Sequence, residues 1–162
     1  MIVVADASPL HYLVLIERIE LLAVLYQQVL VPDTVAAELN HPRTPAQVRD
    51  WIGKPPSWLR IEAAYGPTDD LLEELDPGER DAIRLALANN IRTILIDDAE
   101  GRREAHRRQL RVAGTLGILE RSTERGLIDL RIELARLQRT NFRVRADLIE
   151  SLLERDAARR RE

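Results

Sequence analysis

Two spacings of apolar residues alternate along this chain. Short runs rich in apolar and β-branched residues, at 2–6, 29–31, 93–96 and 111–113, fit strands, and 59–63 is a weaker candidate. Between them, apolar residues recur three or four apart, as one face of a helix requires. Leu10, Leu13, Val14, Leu21, Leu22 and Leu25 keep that spacing after Ser8-Pro9 and predict helix there. Further helices are predicted over 34–39 (capped by Asp33), 45–52, 71–75, 77–88, 100–109 and 116–125. Gly66-Pro67 is a break, and Gly126 stops the 116–125 helix. The rest, 130–162, reads as one or two amphipathic helices.

Strands alternating with helices imply a parallel sheet covered on both faces, a three-layer α/β/α fold with right-handed crossovers. The expected organisation is one catalytic domain over 1–128 and a C-terminal helical extension over 129–162. In such sheets ligands sit beyond the carboxyl ends of the strands. Two predicted strands run directly into acids, Asp6 and Asp97. Both are expected on that edge, on adjacent strands.

A carboxylate emerging from a buried strand is costly unless something compensates it. A hard divalent cation, Mg²⁺ or Mn²⁺, is one such partner. Glu38 and Glu79 lie on helices able to lean over the same edge, and four converging acids would repel one another without a cation. Each acid alone has a plainer role open to it. Asp6 and Asp97 suit turns or helix caps, Glu38 a solvated helix face, and Glu79 the positive end of a helix dipole. Asp98 suits either a water-mediated metal contact or a cap for the next helix. Asp81, two residues beyond Glu79, is expected to face away from it, on the surface. His11, His41 and His106 show no ligand spacing.

Composition narrows the chemistry. The chain contains no Cys, which excludes disulfides, thiolate metal sites and cysteine catalysis. No apolar run approaches a membrane span, and the N-terminal Met-Ile-Val-Val-Ala-Asp lacks a signal peptide's basic start, so a cytoplasmic protein is expected. Charge is uneven. Residues 1–100 hold 8 basic and 17 acidic residues, whereas 101–162 hold 16 and 10. Lys54 is the sole lysine. The arginine-rich half suits either phosphate binding or an ion-paired, solvated helix surface.

Five segments, in order, resemble the motifs of PIN domains. They are Val4-Ala5-Asp6-Ala7-Ser8-Pro9-Leu10, Val31-Pro32-Asp33-Thr34-Val35-Ala36-Ala37-Glu38-Leu39, the stretch from Gly78-Glu79-Arg80-Asp81 to Ala86, Ile94-Leu95-Ile96-Asp97-Asp98, and Val112-Ala113-Gly114-Thr115-Leu116-Gly117-Ile118-Leu119. The resemblance spans roughly 1–128 and is nearest to a VapC-like, PilT N-terminus-like branch. It implies a metal-dependent ribonuclease, the toxin of a toxin–antitoxin pair, using Mg²⁺ or Mn²⁺. Asp6, Glu38, Glu79 and Asp97 take the places of the family's acidic quartet, and Ser8 that of the small polar residue beside the first acid. The third acid is commonly Asp, so Asp81 rivals Glu79; the spacing from Ile83 to Asp97 favours Glu79. Ser8 and Thr115 would hydrogen-bond a ligand water or a phosphate, and Arg102 and Arg103 would steer the RNA backbone. A homodimer and a small antitoxin partner follow from the resemblance and from the apolar positions of 116–128.

Other classes fit less well. A PIN-like module that binds nucleic acid or a partner without cutting is the main alternative. A phosphoacceptor receiver domain wants a lysine after a late strand, whereas Lys54 sits mid-chain. A phosphatase with an aspartyl nucleophile wants a second Asp where Ser8 stands.

Overall fold

The computed structural model describes residues 1–162 throughout. Its five strands, β1 (Ile2–Ala5), β2 (Gln28–Pro32), β3 (Leu59–Glu62), β4 (Thr93–Leu95) and β5 (Arg111–Ala113), form one parallel sheet in the order β3-β2-β1-β4-β5. Helices flank the sheet in the expected three-layer α/β/α arrangement. Val3, Val4, Val29, Val31, Ile94 and Leu95 expose no surface. A parallel strand covered on both faces needs such unbroken apolar runs.

Helices α1 (Ala7–Leu15) and α2 (Leu21–Leu25) join β1 to β2, and α3 (Asp33–Leu39) and α4 (Ala46–Gly53) join β2 to β3. Helices α5 (Asp70–Glu73) and α6 (Pro77–Ala88) lead to β4, and α7 (Ala99–Arg107) leads to β5. Helix α6 packs on β1, β2 and β4 and touches both α3 and α7. Its buried Ala82, Ile83, Leu85 and Ala86 join Val4, Ile94, Ile96 and Ala105 in one core cluster.

The strand order creates the site. From β1 the chain progresses through β2 to β3, then returns to β4 on the other side of β1 and moves outward to β5. Strands β1 and β4 therefore flank the switch point, where an open α/β sheet leaves a crevice at its carboxyl edge. Ala5 pairs with Leu95, and the Asp6 amide donates to the Leu95 carbonyl at 2.8 Å. Asp6 thus leaves the sheet immediately beside the Ile96-Asp97 turn.

Several local expectations need correction. The apolar spacing from Leu10 to Leu25 spans two helices. Between them Glu17 takes φ 61°, and the Arg18 amide donates back to the Leu13 carbonyl at 2.8 Å. Asn90 and Gln109 end α6 and α7 similarly, at φ 55° and 64°, with the Ile91 and Leu110 amides reaching back to Ala86 and Ala105. These closures satisfy helix carbonyls and turn the chain abruptly into β4 and β5. Asp33 is not a cap: Pro32 holds that position, and Asp33 is the first helical residue. Asp81 is buried, not on the surface.

Residues 1–115 form one compact unit and 116–162 a second. The second contains α8 beyond its first residue, α9 (Leu130–Gln138) and α10 (Ala146–Arg160), with α8 as a whole running Thr115–Glu124. Asp129 caps α9 by accepting from the Arg131 amide at 3.0 Å. Arg155 and Arg159 of α10 pair with Glu120 and Glu124 of α8. Many of the arginines beyond residue 101 are thus spent on neighbouring acids. Ile118 and Leu119 are buried, whereas Leu127 is exposed.

Candidate functional site

Each acid reaches the carboxyl edge from a different element. Asp6 follows β1 and occupies the residue before α1, where it is 5% exposed. Glu38 comes from the last turn of α3 and Glu79 from the first turn of α6. Asp97 and Asp98 follow β4, and Asp98 caps α7 by accepting from the Gly101 amide at 3.0 Å. That bond uses only one of its carboxylate oxygens. None of these five acids has an arginine or lysine nitrogen within ion-pair distance.

Two glycines let the groups approach. A Cβ on Gly78 would stand 3.1 Å from Glu38 Oε1 and 3.4 Å from Asp6 Oδ1. The two carboxylates therefore face each other across the start of α6. A Cβ on Gly114 would lie 2.7 Å from Asp97 Oδ1 and 2.9 Å from Arg102 Nη1. No other residue leaves room for both groups there.

Asp97 is the most firmly held. Its Oδ2 accepts from Ser8 Oγ at 2.8 Å and from Thr115 Oγ1 at 2.6 Å, and its Oδ1 accepts from the Thr115 amide at 2.7 Å. A carboxylate offers about four acceptor positions. The one left over lies on Oδ1, so Asp97 is aimed. Ser8 and Thr115 donate their hydroxyl protons to Asp97 and orient the acid.

Crowding appears in the proton affinities. Burial, and then the charges of Glu38, Asp97 and Asp98, push the Asp6 carboxyl up to about 7, against a lowering backbone hydrogen bond from Ala7. Glu79 is pushed up to about 8, first by burial and then by Asp6, Asp98, Asp76 and Glu38. Glu38 is raised by burial and by Asp76. Asp76 is the acid that the sequence reading missed. It sits just before α6, makes no side-chain cap bond, and acts on both glutamates. The only signal for it was its place ahead of Pro77-Gly78-Glu79.

Glu79, and not Asp81, shares this edge. Asp81 accepts from Arg80 Nε at 3.0 Å and Arg84 Nη1 at 3.1 Å. Burial alone would raise its carboxyl; these cations hold it below the ordinary range. Arg84 also donates to the Gly66 carbonyl at 2.8 Å, and Arg80 reaches Glu73. Asp81 thereby ties the 66–73 segment to α6. Asp81→Asn leaves two half-buried cations short of their acid and is expected to cost about 3 kcal/mol. A thermal melt several degrees below wild type is the expected result.

The donor set suits a hard cation. It is made of carboxylate oxygens alone, with no soft ligand and no competing ammonium or guanidinium ion pair. As the side chains stand, no three of the acids converge closely enough to hold one ion together. Holding an ion would require rotamer changes or contact through water, which Mg²⁺ readily retains. Arg102 is half buried beside Asp97, whereas Arg103 is exposed. The histidines take no part: His41 accepts from the Arg43 amide, and His106 is exposed.

A search of curated proteins and a search of solved structures each returned no match. A family model described as a PIN domain matches residues 2–157, nearly the whole chain. With a parallel sheet whose switch point gathers the acids of β1, α3, α6 and β4, the chain belongs to the PIN domain family.

Proposed function

We propose that this protein is a metal-dependent endoribonuclease acting at the β1–β4 edge, with Asp6, Glu38, Glu79 and Asp97 as its catalytic acids. PIN domains are generally nucleases. The observation that carries the reading is the set of acids without ion-pair partners at the switch point, three of them (Asp6, Glu38 and Glu79) held at raised proton affinity. Such a set is expensive unless cations and phosphates complete it.

Mg²⁺ or Mn²⁺ would be held by Asp6 and Asp97, with Glu38, Glu79 and Asp98 completing the shell directly or through water. When bound, the ion supplies Lewis acidity, neutralising charge at phosphorus and acidifying water. The protein's own groups do the positioning. Ser8 and Thr115 fix Asp97 with one oxygen position free. Asp6 and Glu79, whose proton affinities are raised, would give up any proton they hold to an incoming ion. Hydrolysis joins the water oxygen to phosphorus, breaks one ester P–O bond and protonates the departing ribose oxygen. Arg102 and Arg103 add positive charge that draws the RNA backbone to the edge.

The family resemblance supports a toxin of a toxin–antitoxin pair, working as a homodimer with a small antitoxin. The dimer rests on that resemblance alone, since Ile118 and Leu119 are buried within the chain. A non-cutting binding module is the second reading. RNA incubated with purified protein and Mn²⁺, Mg²⁺ or EDTA separates the two. Cleavage that needs the ion and is absent from Asp6→Asn supports the nuclease. Ion-dependent RNA binding without cleavage supports the module.

A further inference from the structure

Helix α7 carries Arg102, Arg103, Arg107 and, at its end, Arg108. Arg107 pairs with Glu104, and Arg108 with Asp69. Arg103 is exposed. Arg102 is different on each count. It is half buried, its Nη1 stands 2.9 Å from where a Gly114 Cβ would be, and Asp97 Oδ1 flanks the same point at 2.7 Å. Yet its guanidinium enters no ion pair and no hydrogen bond, although an acid lies so near. Asp97 already spends its acceptors on Ser8 and Thr115.

A partly desolvated guanidinium with all its donors unspent is poised for an anion. Here the acceptable anion is one that can sit beside carboxylates because it brings or shares a cation. We propose that Arg102 is the phosphate-gripping residue of this site, its planar fork holding non-bridging oxygens of the reacting phosphodiester beside Asp97. The role rests on the nuclease reading above and separates Arg102 from Arg103, which acts only through its long-range field. The glycine at 114 is the gap that lets fork and acid stand side by side.

The test uses the full chain and a fluorescent single-stranded oligoribonucleotide. With Mn²⁺, Arg102→Gln is expected to lower kcat/KM by about 100-fold, the scale of losing one charge-stabilising donor. Arg102→Lys should recover only part of this, because an ammonium has no fork. Arg103→Gln should lose a few-fold that fades at high salt. Added guanidinium should partly rescue Arg102→Ala. In the Asp6→Asn background, where the probe stays intact, Arg102→Gln should weaken binding in Mn²⁺ by roughly 10-fold. Since Arg102 has no partner within the protein, its variants should melt like wild type.

Arg102→Gln that cuts and binds like wild type, while Asp6→Asn is inert, overturns this proposal and leaves the nuclease standing. Loss of cleavage with a lowered melt and no guanidinium rescue also overturns it, in favour of a structural role. Wild type that neither cuts nor binds the probe in Mn²⁺ overturns the nuclease reading, and this proposal with it.

Discussion

Asp6→Asn and Asp97→Asn are both expected to abolish ion-dependent RNA cleavage, by on the order of 1,000-fold or more, yet to move stability in opposite directions. Asp6 is buried among like charges, and neutralising it removes their repulsion at the edge. Asp97 instead accepts three hydrogen bonds, from two hydroxyls and an amide. Bonds to a charged acceptor contribute about 1.5–3 kcal/mol each, and an amide in its place weakens all three or forces the hydroxyls to turn. In EDTA at pH 8, Asp6→Asn should therefore melt above wild type and Asp97→Asn below it. Paired melts and cleavage assays decide the matter. If both variants cut RNA at the wild-type rate, these acids only shape turns and the nuclease assignment is lost.

The second large effect is on pH. Asp6 titrates near 7 and Glu79 near 8 in the folded chain, whereas in the unfolded chain both titrate near 4. Below about pH 4 both states hold the protons and the pair costs nothing. Between about pH 4 and 8 the unfolded chain releases protons that the folded chain keeps, so stability falls as pH rises. Above that range the full cost remains. For Asp6 the shift amounts to a few kcal/mol at most, roughly 5–10 °C for a chain of 162 residues. Other groups titrate in the same interval, so the quantity to follow is the melt of Asp6→Asn minus that of wild type, in EDTA. It should be near zero at pH 4, grow to about pH 7 and then level off. Mn²⁺ at pH 8 should then raise wild type by mass action and Asp6→Asn less. A difference that stays flat with pH would mean that Asp6 is not strained by its neighbours.

Sheet and edge were legible because their signals are local. Ile94-Leu95-Ile96-Asp97 states a buried strand and its exit within four residues, and Ile2 to Asp6 does the same. Glu79 was separable from Asp81 through the spacing to β4. The fate of Asp81 was not, because its burial depends on Arg80, Arg84 and a carbonyl at Gly66, partners whose convergence only the folded chain reveals. The bonds of Ser8 and Thr115 to Asp97 were not legible in the sequence. Their contacts with Asp97 span 89 and 18 residues. The break at Glu17 was invisible for another reason: a left-handed turn made by an ordinary residue leaves no glycine to mark it.

The strand order has a consequence for how such a protein comes into being. β1, β2 and β3 are contiguous in both sequence and sheet, so a nascent chain can assemble them first. At that stage Asp6 is present, but the flank of β1 reserved for β4 is bare. Asp97 and the Thr115 that aims it emerge only after more than half of the chain has been made. A polypeptide released early carries Asp6, Ser8 and Glu38 but lacks Glu79, Asp97 and Thr115. The edge between β1 and β4 is thus complete only once β4 slots in beside β1.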